Sequence, residues 1–158
     1  TDGDGLTDGQ EYFGFFFEEK PKLSTDCLKW SYCMSTLVTG VAGFIGMHTA
    51  KSLLSKGHHV VGIDNLNHYY DPRLKKARLT QLESFDEFSF LKTDFATQSF
   101  VEEFTETHPQ IDQVIHLGAQ AGVRNSIDKP QDYMKSNLAG QLNILEYCRN
   151  LIEKNNNT

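Results

Sequence analysis

Three features are scarce in this chain, and each scarcity removes a class of function. No apolar run approaches the roughly 18–20 residues that a membrane-spanning helix needs. The aromatic stretch at 12–17 is interrupted by Gly14 and has neither a basic flank nor a cleavage-site pattern, so no secretory leader and no membrane partner are expected. Basic charge is short as well: 15 Lys and Arg stand against 21 Asp and Glu, a net charge of −6. Nucleic-acid binding draws on cationic side chains that displace phosphate counterions, and it is not expected of such a surface. Cysteine is the third. Cys27, Cys33 and Cys148 cannot all pair, and none sits in a Cys-x-x-Cys array. Reduced thiols in a cytoplasmic protein are expected, although a Cys27–Cys33 bridge is permitted by the spacing.

What remains is globular: 158 residues, 39% hydrophobic and 23% charged, enough for one domain with a real core. The chain divides near residue 33. Residues 1–33 hold seven acids and three lysines and show no sustained period. They are expected to be an irregular acidic extension, an appendage of the fusion or read-through kind, because Met34 begins a stretch that reads as a natural start. Within the extension, Asp2, Asp4, Gly5, Asp8 and Glu11 fall on positions 3, 5, 6, 9 and 12 of the twelve-residue calcium loop. The run resembles the calcium repeats of thrombospondin type 3 and dockerin modules. Position 1 is unfilled and no second loop supports it. Two readings stay open, a flexible acidic tail and a weak calcium site held by Asp2, Asp4, Asp8 and Glu11.

From Met34 onward, strands alternate with helix-length segments. Short strands are expected at 36–39, 59–63, 88–92 and 114–117; the apolar run Val60, Val61 and Ile63 suits a strand covered on both faces. A first helix places Met47, Ala50, Leu53 and Leu54 together and stops at Gly57. Asp71-Pro72 opens a second, over 73–83, as cap residue and first-turn proline. A third gathers Phe100, Val101 and Phe104. The last aligns Met134, Leu138, Leu142, Leu145, Cys148 and Ile152 at spacings of three and four, the face expected to be buried. Such alternation requires right-handed crossovers and a parallel sheet. The expected fold is α/β, a partial Rossmann-type doubly wound sheet of about four strands with helices on both faces, over residues 34–158.

The chemistry sits at the strand ends. The first strand runs into Gly40-Val-Ala-Gly43-Phe-Ile-Gly46, a helix follows, and the next strand ends at Asp64. A glycine triplet alone is often just a turn; between a strand and a helix, with an acid ending the following strand, it has the context of a dinucleotide site. Gly40 allows the tight turn, Gly43 lets backbone approach a pyrophosphate, and Gly46 lets helix and sheet pack closely. The helix N-terminus adds free N–H groups and partial positive charge. A carboxylate at Asp64 accepts from ribose hydroxyls and repels the extra phosphate of NADP, so NAD is the expected cofactor.

The Gly-x-x-Gly-x-x-Gly spacing resembles the extended short-chain dehydrogenase/reductases, within them the NAD-dependent nucleotide-sugar epimerases and dehydratases. Three further stretches carry the likeness: Gly62-Ile-Asp-Asn-Leu-Asn-His-Tyr-Tyr-Asp71, Val114-Ile-His-Leu-Gly-Ala-Gln-Ala-Gly-Val-Arg124 and Tyr133-Met-Lys-Ser-Asn-Leu-Ala-Gly-Gln-Leu-Asn-Ile-Leu-Glu146. They are similar to the UDP-glucuronate 4-epimerases more than to the glucose epimerases. The resemblance implies a pyrophosphate site at Gly40, Gly43, Phe44, Ile45 and Gly46, and an adenosine-ribose site at Asp64 and Asn65. It implies Asp94 and Phe95 flanking adenine, Leu117, Gly118, Ala119 and Gln120 on the nicotinamide side, and Asn137 beneath the cleft. Gly118 stands where the family usually has alanine, and Asn125 where tyrosine is common.

Read without the family, several of these residues serve two roles equally. Asp94 closes a strand at the ligand-binding edge or caps the next helix. His116 suits a satisfied core histidine better than an acid or base. Asn137 binds a ligand or bridges backbone groups. Arg124, in the loop after the fourth strand, grips a sugar carboxylate or is solvated. The other histidines form no credible metal set.

The resemblance also implies a Tyr-x-x-x-Lys pair, in which lysine lowers the tyrosine's pKa for proton transfer. No tyrosine here has lysine four residues on: the positions hold Phe16, Thr36, Arg73, Leu74, Asn137 and Leu151. The chain is therefore expected to be the amino-terminal part of such an epimerase, with no catalytic residue of its own. A nucleotide sugar would bind only the full-length enzyme, which the likeness implies is a homodimer.

Overall fold

The computed structural model describes residues 34–156, all within one compact unit, Tyr32–Thr158. Four strands, β1 (Ser35–Thr39), β2 (His59–Asp64), β3 (Phe88–Lys92) and β4 (Gln113–His116), form one sheet in the order β3-β2-β1-β4. Every pairing is parallel, with Leu37 opposite Val61 on one side of β1 and Val114 on the other. The chain steps outward from β1 to β2 to β3, then crosses back to lay β4 on the opposite side of β1. This is the doubly wound arrangement, and the reversal leaves a crevice above the carboxyl ends of β1 and β4.

Alternation along the strands divides the core into two layers. Leu37, Val61 and Ile63 face α3 (Phe100–Thr107) and α6 (Gly140–Asn156), joining Phe95, Phe100, Phe104, Ile144, Tyr147 and Leu151. Val38 and Val60 face the other way, onto α1 (Phe44–Leu54) and α2 (Pro72–Leu82), with Met47, Ala50, Leu54, Leu79 and Leu82. Asp71 caps α2 as its sequence foretells, accepting from the Arg73 amide at 2.9 Å. Strands β1 to β3 sit within a residue of their expected positions, so the fold class follows the sequence pattern.

Two elements depart from it. Strand β4 closes at His116, so Leu117 lies past the sheet, and the expected loop beyond it holds α4 (Val123–Asp128) and α5 (Pro130–Tyr133). A π-helical turn, Met134–Ala139, then leads into α6. The larger correction concerns α6. The face it buries is Gly140, Ile144, Tyr147 and Leu151, while Met134, Leu138, Leu142, Leu145 and Ile152 are exposed. Both sets recur at spacings of three and four, so periodicity offered two stripes. The buried one carries Tyr147, whose ring fills the core beside Phe100 and Phe104 and whose hydroxyl donates to the His108 carbonyl at 3.0 Å.

Among the described residues, no helix is long and apolar enough to cross a membrane. Asp2, Asp4, Asp8 and Glu11 lie outside the described residues, as do Cys27 and Cys33. Cys148 is free and half-buried against the α3–α6 core, and burial pushes its thiol pKa up.

The two stripes of α6 yield a stability test by urea unfolding. Ile144→Ala should cost about 2–5 kcal/mol, as expected for emptying a packed aliphatic site. Leu145→Gln, one position away on the exposed stripe, should stay within about 0.5 kcal/mol.

Candidate functional site

The site begins with a turn that only glycine can make. Gly40 leaves β1 with φ +66°, and a Cβ there would lie 2.8 Å from the Gly118 Cα. The Gly43 amide closes the turn on the Gly40 carbonyl at 2.9 Å. A Cβ on Gly46 would collide with that same carbonyl oxygen, so α1 starts directly against the end of β1. Gly43 is the N-cap of α1 and brings no side-chain oxygen to it. The first-turn N–H groups therefore remain available to an anion, with the positive end of the helix dipole behind them.

Thr39 ties this turn to β4. Its hydroxyl accepts from the amides of Leu117 at 3.0 Å and Gly118 at 2.9 Å. With both acceptor positions used, its single proton points to His116 Nδ1, 2.6 Å away. His116 then carries its proton on Nε2 and is neutral, in keeping with a pKa lowered by burial. Phe95 stands edge-on to the imidazole at 5.0 Å. His116 is thus a hydrogen-bonded histidine at the margin of the core, the role that its position on a buried strand suggested.

Asp64 ends β2 and is buried. Its Oδ1 accepts from the Leu66 amide at 2.7 Å and from Lys75 Nζ at 3.0 Å. Lys75 reaches in from α2, is itself buried, and donates again to Asn67 Oδ1 at 3.1 Å. Asn67 Nδ2 in turn donates to Gln120 Oε1 at 3.4 Å, across the crevice. One turn further along α2, Arg78 donates to the Ala42 carbonyl at 3.2 Å and the Tyr70 hydroxyl at 3.1 Å, bracing the glycine turn from outside.

These parts enclose a cleft of about 280 Å³. Twelve of the residues expected at the cofactor line it: Gly40, Gly43, Phe44, Ile45, Gly46, Asp64, Asn65, Phe95, Leu117, Gly118, Ala119 and Gln120. Asp94 lines an adjoining polar cavity of about 440 Å³ that shares Asn65 and Gln120 with the cleft. It does not cap α3, whose N-cap is Ser99. Its Oδ1 instead accepts from the Ala96 amide at 3.0 Å, and its Oδ2 from Lys135 at 3.1 Å.

Asn137 borders neither space. It lies in the π-helical turn and clamps the backbone of Gln120, accepting from its amide at 2.7 Å and donating to its carbonyl at 2.9 Å. This is the backbone-bridging role, and it fixes the loop that carries Ala119 and Gln120. Arg124 is exposed on α4, outside both linings, rather than in a loop.

Asn67, Tyr69, Tyr70, Lys75, Ala121 and Ser136 also line the cleft and were missed by sequence reasoning. For Lys75 a signal existed: with Leu79 and Leu82 it forms the buried stripe of α2, and a lysine on an apolar stripe needs a partner. Tyr69 reaches Tyr133, and desolvation followed by that contact raises its pKa. Tyr133 donates to the Ala121 and Gly122 carbonyls, so a pair of tyrosines pins the outer loop. Among the described residues no cluster of three or more acidic, histidine or cysteine side chains could hold a metal ion.

The geometry suits a ligand with an anionic group at the α1 N-terminus and a diol near Asp64. Comparison with known proteins agrees with the fold. The chain is 41% identical over 131 residues to UDP-glucuronate 4-epimerase 3 of Arabidopsis thaliana, covering 83% of this chain and 30% of that protein. To the UDP-glucuronate 4-epimerase of Thermodesulfobacterium geofontis it is 45% identical over 113 residues, covering 72% of this chain and 35% of that protein. Among solved structures, the UDP-glucuronic acid 4-epimerase of Bacillus cereus in complex with UDP-glucuronic acid and NAD superposes with a TM-score of 0.64 at 36% identity. That superposition covers 73% of this chain and 36% of the other. The chain thus spans about a third of the length of these relatives. The family model described as GDP-mannose 4,6 dehydratase matches residues 37–158, and the chain belongs to that family of NAD-dependent epimerases and dehydratases.

Proposed function

We propose that this chain is the amino-terminal NAD-binding part of a nucleotide-sugar 4-epimerase similar to UDP-glucuronate 4-epimerase, and that taken by itself it binds the cofactor without epimerising a sugar. One observation carries the reading: the glycine turn at the head of α1 and the Asp64 carboxylate line the same cleft, at the switch point of the sheet. The residues fit NAD. At Gly40 and Gly46 the absent Cβ leaves room only for backbone, which brings the α1 amides within reach of a diphosphate. Asp64 Oδ1 is held by Leu66 and Lys75, which leaves Oδ2 for ribose hydroxyls. In this reading Leu117 and Gly118, hung from Thr39 and backed by the Phe95 ring, form the wall on the nicotinamide side, while Asp94, in the adjoining cavity, lies toward the adenine.

Bound there, NAD supplies a hydride acceptor and donor for C4 of the sugar. The chain's own contribution is to bind, orient and wall off that group. Proton transfer at the sugar hydroxyl needs a tyrosine paired with lysine, and no tyrosine here has one four residues on. Sugar recognition belongs to the complete protein, with Arg124 as this chain's candidate for a sugar carboxylate. The family model is described for a GDP-mannose enzyme, which keeps other nucleotide sugars as the alternative substrate. A homodimer of the complete protein rests on the family likeness alone, and weak calcium binding at Asp2, Asp4, Asp8 and Glu11 on residue spacing alone.

Three results are expected. NAD at a hundred times its Kd should stabilise the chain by about 2.7 kcal/mol, read as a rise in Tm; no rise on folded material would sink the reading. Gly46→Ala, whose new methyl meets the Gly40 carbonyl, should weaken NAD binding by about tenfold or more in calorimetry, a loss of ~1.4 kcal/mol. Incubated with NAD and UDP-glucuronate, the chain should form no C4 epimer detectable by NMR. Turnover would show that the proton-transfer group lies elsewhere than a Tyr-x-x-x-Lys pair.

A further inference from the structure

The usual account of an acid at the end of β2 is that its negative charge turns away a 2′-phosphate. Here that account is incomplete, because the charge is already matched. Lys75 Nζ lies 3.0 Å from Asp64 Oδ1, and both side chains are buried. Lys75 also borders the cleft itself, over the ring of Tyr70 at 5.3 Å. Its other hydrogen-bond partner is the neutral Asn67 Oδ1 at 3.1 Å. Asp64 and Lys75 thus both line the cleft, and the acid there is one half of a buried ion pair.

We infer that Lys75 is a specificity-determining residue: it positions Asp64 for a ribose diol, and Asp64 in turn masks a cation that would otherwise bind a 2′-phosphorylated adenosine. The inference rests on the reading of the cleft as an NAD site. The positioning half comes from hydrogen-bond capacity. Oδ1 receives two donors, Leu66 N–H and Lys75 Nζ, from two directions. The carboxylate is thereby fixed in rotation, with Oδ2 as the acceptor left for the ligand. The masking half comes from charge. An ammonium withheld from water gains most from the strongest anion in reach, and with the carboxylate gone its described oxygen partner is an amide. A phosphate dianion entering from the cleft would then take the place that Asp64 held. Discrimination between NAD and NADP is a property of the pair rather than of the acid alone.

The test uses the whole chain, five proteins and two probes: wild type, Asp64→Ala, Lys75→Met, Lys75→Arg and the Asp64→Ala/Lys75→Met double variant, each titrated by calorimetry with NAD and with NADP. Circular dichroism checks folding, and thermal melts give the stability of each. Wild type should favour NAD. Lys75→Met should weaken NAD binding, and Lys75→Arg, which restores a donor cation, should recover part of the loss. Asp64→Ala should bind NADP about 10- to 100-fold more tightly than wild type does, the worth of one charged hydrogen bond. Adding Lys75→Met to it should abolish that gain. Equal NADP affinity in Asp64→Ala and the double variant would overturn the inference. So would melts showing Asp64 and Lys75 coupled in stability while the NADP-to-NAD ratio stays constant across the set, since that is a purely structural ion pair. A folded wild type that binds neither dinucleotide would instead refute the cofactor reading, and this inference with it.

Discussion

The cleft depends on one contact: the carboxyl end of β1 touching the carboxyl end of β4. A doubly wound sheet opens a gap where its crossovers diverge, and something must hold the lips of that gap at fixed separation. Here Thr39 does so with a single oxygen. It satisfies the amides of Leu117 and Gly118, which have left the ladder and would otherwise be without partners in a half-buried place. Its proton engages His116. The absent Cβ of Gly40 then lets the two backbones approach at van der Waals distance. Each hydrogen bond is worth only about 1 kcal/mol, yet together they define where the wall of the cleft stands.

Phe95 carries that constraint into the core. Its ring lies against His116 and beneath Gly118, and it also fills the space beside Gly140 at the start of α6. A side chain at either glycine would strike the ring. Phe95 belongs to the same buried cluster as the mutually packed rings of Phe100, Phe104 and Tyr147, whereas the opposite layer of Val38, Met47, Leu79 and Leu82 is mainly aliphatic. On the side of α2, polar links take over. Lys75, Asn67 and Gln120 span the crevice, and Asn137 clips Gln120 from below.

The sheet and the glycine turn were legible in the sequence because both rest on local rules. A short continuous apolar run for a strand covered on both faces, an Asp-Pro helix start and three glycines after a strand are each readable within a dozen residues. What stayed hidden depends on three-dimensional partners. The two apolar stripes of α6 are equivalent in spacing, and only the fit of Tyr147 beside Phe104 selects between them. The π-helical turn before α6 adds to the difficulty, since a widened turn rotates the face of the succeeding helix away from its ideal direction. Asn137 is the sharpest case among the site residues. Its amide is matched to the backbone N–H and C=O of one residue seventeen positions earlier, a pairing that no composition or period records. Lys75 was readable in principle, as a charge on an apolar stripe, but its partner was not.

Strand β4 has a consequence for whatever polypeptide lies beside it. Among the described residues it pairs with β1 alone, so its outer row of peptide groups is an unfinished template. Any ribbon laid there in the same direction as its neighbours would deliver its own trailing residues to the lip of the crevice, opposite Leu117. The polarity of the lattice, set by the first crossover, thereby dictates from which quarter additional chemistry can arrive.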